Sequence, residues 1–138
     1  ALDADNAPTW IGQSDLVIDG TDDFATRLLV SDTCTMLDKP LVSGALGRWS
    51  GQVGVFTGRP CYRCLVPEIP PDAETCQRVG VVGALAGVVG SMAALEAIKL
   101  IIGAGRSLAG RLLIYDGLKG EARTVQVTAD PACRACGG

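Results

Sequence analysis

The sequence Cys61-Tyr62-Arg63-Cys64 is the stretch around which this chain is organised, and a second pair with the same spacing, Cys133-Arg134-Ala135-Cys136, follows near its end. A CxxC spacing lets two thiolates bind one tetrahedral metal ion. Four thiolates would fill a zinc site completely and leave no position for a reactive water molecule. We therefore predict a structural Zn²⁺ site formed by Cys61, Cys64, Cys133 and Cys136, which joins the end of the chain to its middle.

A thiol redox protein is the alternative interpretation of these cysteines. A reactive CxxC pair has its first cysteine at a helix N-terminus, whereas Pro67, Pro70 and Pro71 disfavour a helix after Cys61. The pattern therefore favours zinc. The first residues lack a secretory signal, and six cysteines arranged in this way indicate reduced thiols and a cytoplasmic location.

Composition narrows the possible functions. The 138 residues, 48% of them hydrophobic, are enough for one domain with a sizeable core. The chain has no histidine, which excludes Ser-His-Asp and Cys-His catalysis and every metal site with a histidine ligand. A net charge of -3 without blocks of like charge gives no indication of a nucleic-acid or membrane-surface partner.

Apolar runs and helical patterns alternate in the first part of the chain, which predicts an α/β fold. Asp15 to Asp19 is predicted to be a buried strand that opens into a polar turn. A helix from Phe24 to Leu37 should follow, with Thr21 or Asp22 as its N-cap and Asp23 near its positive end. Ligands bind at the carboxyl ends of strands in such sheets, so we expect the functional site at this turn.

Four more strands are predicted, and their order suggests antiparallel pairing in the second part of the sheet. They are Leu41–Gly44, Gln52–Phe56, Leu112–Tyr115 and Thr124–Thr128. Glycines at 44, 47 and 51 are expected where another backbone or a ligand approaches closely, although a twisted hairpin is the simpler explanation.

The segment from Val79 to Leu95 has no charged residue, and its helical pattern continues to Ile102. Its length is at the lower limit for a membrane span, so we predict a buried core helix. Gly80, Gly83, Gly87 and Gly90 would form a ridge of small residues that packs on the sheet or on a partner helix.

Three acidic or thiol groups are candidates for chemistry. Asp22 and Asp23 could hold Mg²⁺ beside a phosphate, although from the residues alone helix capping is the simpler explanation. Cys76 precedes the long helix, whose dipole would favour a nucleophilic thiolate, and a small buried residue is the alternative.

Taken together, these residues resemble the MoeB/ThiF/HesA family of adenylyltransferases, which are relatives of the ubiquitin-activating enzymes. The resemblance covers the chain from about residue 13 and corresponds to the C-terminal half of a family member. Its motifs are Asp15–Arg27 (DLVIDGTDDFATR), Pro40–Ala45 (PLVSGA) with Gly51 and Gln52, Pro60–Cys64 (PCYRC), Cys76, Leu95–Lys99 (LEAIK), Tyr115 and Asp116, and Cys133–Cys136 (CRAC).

The resemblance implies a reaction and roles for residues. The enzyme would use ATP and Mg²⁺ to adenylate the C-terminal glycine of a ubiquitin-like sulfur-carrier protein. Asp22 matches the family aspartate that helps to hold Mg²⁺ and the phosphates, and Arg27 completes the same motif. The four paired cysteines match the zinc ligands, and Cys76 matches the cysteine that in some members bonds covalently to the carrier.

The resemblance also implies an architecture: a Rossmann-like, three-layer α/β fold with parallel strands followed by antiparallel strands, a long buried Gly-rich helix and a zinc staple held by four cysteines. Residues 1–138 would form a single domain without the N-terminal nucleotide-binding half, and alone would be inactive.

Asp23 replaces an asparagine of the family motif. A homodimer is expected, with a sulfurtransferase or cysteine desulfurase as sulfur donor. The resemblance is compatible with the molybdenum-cofactor, thiamin, cysteine and thiolated-RNA pathways. The alternative function is a non-catalytic, zinc-stapled dimerisation module that binds a ubiquitin-like protein.

Overall fold

The protein is a mixed α/β structure with one five-stranded sheet, seen in a computed structural model that describes residues 1–71 and 80–137. Its described helices are α1 (Ala7–Gly12), α2 (Phe24–Met36), α3 (Tyr62–Leu65) and α4 (Gly83–Ile102), and its strands are β1 (Val17–Asp19), β2 (Leu41–Leu46), β3 (Ser50–Phe56), β4 (Arg111–Asp116) and β5 (Glu121–Gln126).

The sheet has the strand order β1-β2-β3-β4-β5. β1 and β2 are parallel, and every later pair is antiparallel. Successive side chains of a strand point to opposite faces, so β2 places Leu41 in a core beneath α1 and α2 and Val42 in a second core beneath α4. The predicted three-layer arrangement and the change from parallel to antiparallel pairing are confirmed.

The start of α2 differs from the prediction. The N-cap is Asp23, not Thr21 or Asp22: its carboxylate accepts hydrogen bonds from the Thr26 backbone N–H at 3.1 Å and from the Thr26 hydroxyl at 2.8 Å. The hydroxyl bond and the N–H bond lower the pKa of Asp23. Aspartate and asparagine are almost equally good N-caps, which gives a structural reason why either residue suits position 23.

The long helix α4 is buried on one face only, whereas the sequence predicts a helix that is buried as a whole. Leu85, Val89, Ala93 and Ala97 pack on the sheet, whereas Leu95 is 57% exposed within the described structure. Other large apolar side chains on the outer face are also exposed: Val88, Ile98, Ile101 and Ile102. With 20 residues and a mean hydropathy of 1.9, α4 is long and apolar enough to cross a membrane. Core helices of soluble proteins can have the same length and composition.

The glycines of α4 lie open, whereas those of the β2–β3 hairpin lie where another element approaches closely, as expected. A Cβ atom at Gly83, Gly87 or Gly90 would meet no atom of the described residues within 4 Å, so these glycines do not pack on the sheet. At Gly51 and Gly44, in contrast, a Cβ atom would press against the side chain of Val89. The close approach in the hairpin is therefore that of α4, although Gly44 also lines a cavity.

We predict that Gly51→Ala lowers the free energy of unfolding by about 1–3 kcal/mol, because the added methyl group overlaps Val89 in a packed core. Urea denaturation followed by circular dichroism measures the change. Gly87→Ala is the control: it adds a methyl group in open space within a helix and should raise stability by up to about 1 kcal/mol. Equal stability of Gly51→Ala and the wild type would contradict the packing argument.

Candidate metal centre and adjoining cavity

The four cysteines of the two CxxC pairs form one cluster. The Sγ atoms of Cys61 and Cys133 are 3.6 Å apart, those of Cys64 and Cys136 are 3.3 Å apart, and all four lie within 4.8 Å of one another. A tetrahedral zinc ion with Zn–S bonds of about 2.3 Å requires sulfurs about 3.8 Å apart. The donor set and its dimensions therefore fit a metal ion held by four thiolates.

Local turns aim the sulfurs at a common point. The Cys64 N–H donates to the Cys61 carbonyl at 3.0 Å, and the Gly137 N–H donates to the Cys133 carbonyl at 2.8 Å. A Cβ atom at Gly137 would lie 2.6 Å from the Pro131 carbonyl oxygen, so the second turn requires glycine. The Asp130 N–H also donates to the Cys64 sulfur at 3.4 Å. A four-sulfur site of this kind leaves no open coordination position.

The thiols of the cluster differ in acidity. Burial, together with hydrogen bonds to the Cys136 and Cys133 thiols, raises the pKa of Cys61 to about 12. Burial also opposes ionisation of Cys133, but the backbone N–H groups of Cys136 and Ala135 and the neighbouring thiols outweigh it and lower the pKa of Cys133 to about 6. Binding of a cation by all four sulfurs thus requires release of protons.

The geometry also bears on the redox alternative. The expectation that no helix follows Cys61 is wrong at the scale of one turn, because α3 begins at Tyr62 with Cys61 as its N-cap. However, the sulfur–sulfur contacts Cys61–Cys133 at 3.6 Å and Cys64–Cys136 at 3.3 Å both join one CxxC to the other. This arrangement matches a shared metal ion better than a reactive CxxC disulfide.

Arg63 links the cluster to α2. Its side chain is 6% exposed, and it donates from Nε and Nη2 to the two carboxylate oxygens of Asp32 at 2.9 and 2.6 Å. Nη1 donates to the Pro67 carbonyl at 2.8 Å. The hydrogen bond and the charge of Asp32 raise the pKa of Arg63 despite burial, so the guanidinium remains charged beside the thiols.

Asp32→Ala should lower the free energy of unfolding by about 2–3 kcal/mol, because it leaves the guanidinium of Arg63 buried without its counter-ion. The loss is smaller than for a fully buried pair, since the Asp32 side chain is 39% exposed. Chemical denaturation measures it. The double variant Arg63→Met/Asp32→Leu should be more stable than Asp32→Ala, and Glu121→Ala, a surface change on β5, should stay within about 0.5 kcal/mol of the wild type. A loss no larger for Asp32→Ala than for Glu121→Ala would contradict the prediction.

A cavity of about 590 Å³ lies beside the metal cluster, within the size range of small-molecule sites. Its walls come from the turn after β1, the end of β2, α3 and the sheet-facing side of α4. The side chains that give it polar character are Asp19, Thr21, Asp22, Arg27, Gln52 and Tyr62. The predicted location of the site, at the carboxyl end of the first strand, therefore contains a cavity.

The three aspartates at this end of the sheet have different environments. Asp19 is buried and accepts hydrogen bonds from the Thr21 N–H at 2.9 Å and the Thr21 hydroxyl at 2.7 Å. Asp23 is engaged in capping α2. Asp22 is exposed and lines the cavity, and within the described ranges its carboxylate forms no hydrogen bond or ion pair. Of the three, Asp22 is the carboxylate available to a cation.

Arg27 lines the same cavity but is 4% exposed. Nη1 donates to the carbonyl oxygens of Thr21 at 2.8 Å and Gly44 at 2.9 Å, and Nη2 donates to the Ser43 hydroxyl. Nε donates to the Tyr62 hydroxyl at 3.2 Å. The structure thus brings Asp22 and Arg27 to one cavity, whereas Cys76 lies outside the described residues.

Three residues of the site, Tyr62, Arg63 and Asp32, have no role predicted from the sequence. Tyr62 and Arg63 occupy the variable positions of the first CxxC, and both make contacts with α2. Their residue types alone could have indicated a role, because a tyrosine and an arginine between two metal ligands carry polar groups that need hydrogen-bond partners when buried. Nothing in the sequence indicated which partners these are.

Comparisons with known proteins identify a family and relatives of this chain. The ThiF family matches residues 1–135. The sulfur carrier protein adenylyltransferase of Thermus thermophilus is 44% identical over 99% of this chain, and an adenylyltransferase and sulfurtransferase MOCS3 of Caenorhabditis briggsae is 44% identical over 99%. The matched segments are 54% and 36% of those proteins, so the chain spans about half or less of the relatives' length.

Solved structures share the fold. E. coli MccB with MccA-N7isoASN superposes with a TM-score of 0.82 over 100% of this chain and 44% of that one, at 14% identity. MccB with ATP gives a TM-score of 0.80. The resemblance predicted from the motifs is confirmed, since the family match extends over nearly all residues: the chain belongs to the ThiF family.

Proposed function

We propose that the protein containing this chain uses ATP and Mg²⁺ to adenylate the C-terminal glycine of a ubiquitin-like sulfur-carrier protein, with release of pyrophosphate. The observation that carries the proposal is the position of Asp22, an available carboxylate in a cavity at the carboxyl end of β1. The printed names of relatives, sulfur carrier protein adenylyltransferase and MOCS3, support the same reaction class.

Each group has a defined role in this proposal. Asp22 would hold Mg²⁺, which is usually bound by one or two carboxylates together with phosphate oxygens. The magnesium ion would neutralise charge on the phosphates as the carrier's carboxylate attacks. Such a reaction depends mainly on positioning and electrostatics, which explains how a chain without histidine could contribute to it. Cys76 is proposed as a nucleophile whose thiolate attacks the carbonyl carbon of the carrier's acyl adenylate, which forms a thioester and releases AMP.

The metal held by the cysteine cluster is proposed to be Zn²⁺. A closed set of four thiolates is typical of structural zinc, whose bound state stabilises the fold and takes no part in the reaction. The residues that would hold it are Cys61, Cys64, Cys133 and Cys136. Reduced thiols are also the basis for proposing a cytoplasmic location.

The assembly proposed is a homodimer that receives sulfur from a sulfurtransferase or cysteine desulfurase. The exposed apolar side chains on the outer face of α4, including Leu95 and Ile98, support an interface with another polypeptide. We further propose that this chain supplies one half of the adenylation site and that the adenine and ribose are bound by sequence outside it. On this basis the 138-residue chain alone has no activity.

ATP–pyrophosphate exchange tests the proposed function. The full protein containing this chain should catalyse exchange only with Mg²⁺ and a sulfur-carrier protein ending in glycine, and a carrier without its last glycine should support none. The 138-residue chain alone is the matched comparison and should be inactive. Absence of exchange by the full protein would refute adenylation, and exchange by the chain alone would refute the half-site proposal.

A further inference from the structure

The metal cluster and the cavity are connected through Tyr62, the residue that follows the metal-ligating Cys61. The Tyr62 hydroxyl accepts the hydrogen bond from Arg27 Nε at 3.2 Å, and the guanidinium carbon of Arg27 lies 5.1 Å from the centroid of the Tyr62 ring. A hydrogen bond and a cation–π contact therefore join the same two side chains. Tyr62 is 6% exposed and packs edge-on against Phe56, with ring centroids 5.8 Å apart.

Arg27 transmits this contact to the turn that carries Asp22. Hydrogen bonds to the protein use donors on all three guanidinium nitrogens. The acceptor of one Nη1 bond is the Thr21 carbonyl, which belongs to the peptide group that joins Thr21 to Asp22. Because protein acceptors already occupy the guanidinium donors of Arg27, this side chain is better suited to fixing the position of the turn than to binding a phosphate.

We propose that Tyr62 is a positioning residue: it couples the metal centre to the Asp22 carboxylate by fixing Arg27, which in turn fixes the Thr21–Asp22 peptide. The functional consequence of this coupling rests on the proposed role of Asp22 in binding Mg²⁺. The metal staple then has two roles, since it closes the fold and also sets the position of one wall of the cavity. Small displacements of a catalytic constellation are costly, which is why such support matters.

The first test measures the hydrogen bond between Arg27 Nε and the Tyr62 hydroxyl directly. The zinc-loaded protein is labelled with ¹⁵N, and the exchange rate of the Arg27 Nε–H is measured by NMR in the wild type and in Tyr62→Phe. Phenylalanine keeps the ring and its packing on Phe56 but removes the acceptor. Exchange should become faster by at least about tenfold, and the amide resonance of Asp22 should shift, because its peptide group loses a fixed donor.

Matched measurements separate positioning from general destabilisation. Tyr115→Phe removes a hydroxyl from β4, away from Arg27, and should change neither signal. Tyr62→Phe should retain the same zinc content as the wild type. Unchanged Arg27 exchange or an unchanged Asp22 resonance in Tyr62→Phe would overturn the proposal, as would loss of zinc, which would place the effect of the hydroxyl on the metal centre itself.

The second test measures function in the full protein. Tyr62→Phe should raise the Mg²⁺ concentration needed for half-maximal ATP–pyrophosphate exchange by about threefold or more, while the rate at saturating Mg²⁺ changes little, because a displaced carboxylate weakens binding first. An unchanged Mg²⁺ requirement would overturn the coupling to Asp22. A wild type without exchange would instead refute the proposed function, and the NMR comparison would still decide whether Tyr62 holds Arg27.

Discussion

Cys133→Ser is expected to lose the bound metal and to melt at a temperature lower by at least about 10 °C, with a zinc chelator giving a similar loss in the wild type. Structural zinc sites contribute about 10–16 kcal/mol of binding free energy, which is comparable to the whole stability of a domain. Loss of only about 4 kcal/mol would lower the melting temperature by roughly 12–20 °C for a domain of this size.

Metal analysis by mass spectrometry, together with a thermal melt, checks this expectation. Cys34→Ala is the matched control, because Cys34 is a buried thiol of α2 that lies outside the cluster. It should cost about 1 kcal/mol through lost packing and should keep one zinc ion for each chain. A Cys133→Ser protein with full zinc content and an unchanged melting temperature would show that the cluster is not the metal site.

Asp22→Asn is expected to reduce ATP–pyrophosphate exchange by the full protein by about 10²–10³-fold. The substitution keeps the shape of the side chain and removes the charge that would hold Mg²⁺ beside the phosphates, and loss of one preorganised electrostatic contact typically costs this much. Raising the Mg²⁺ concentration should recover part of the activity. Steady-state exchange rates at several Mg²⁺ concentrations measure both effects.

The neighbouring residue provides the control for Asp22. Asp23→Asn makes the same chemical change one residue away, but Asp23 caps α2, and asparagine serves almost equally well as an N-cap. Activity should remain within about threefold of the wild type, since the cap is worth only about 1 kcal/mol even when it is removed entirely. Equal losses in the two variants would mean that the structure has not distinguished the two carboxylates.

Much of this architecture could be predicted because it depends on residue type and local pattern. Metal ligation needs four thiols in two close pairs, which the sequence displays directly. The strand ending at Asp19 and the helix that follows it are visible as an apolar run and a helical period. The site at that strand end follows from a rule of open α/β sheets.

Other features depend on neighbours that are distant in sequence, and no local pattern names them. Tyr62 meets Arg27 across 35 residues, and Arg63 meets Asp32 across 31. The need for glycine at position 51 comes from Val89 on another element. The sequence does not show that Asp23 is the N-cap, because the consecutive residues Thr21, Asp22 and Asp23 can all cap a helix. The path of the backbone decides which of them does so.

The connection between Cys61 and Cys133 also constrains how the protein can be made. The two residues are 72 positions apart, and all of α4, β4 and β5 lies between them. Ribosomes add about 5–20 residues per second, so the first thiol pair is synthesised roughly 4–14 s before the second. During that interval the nascent chain has only two of the four metal ligands. The metal site can therefore form, and stabilise the fold, only after Cys136 has been synthesised.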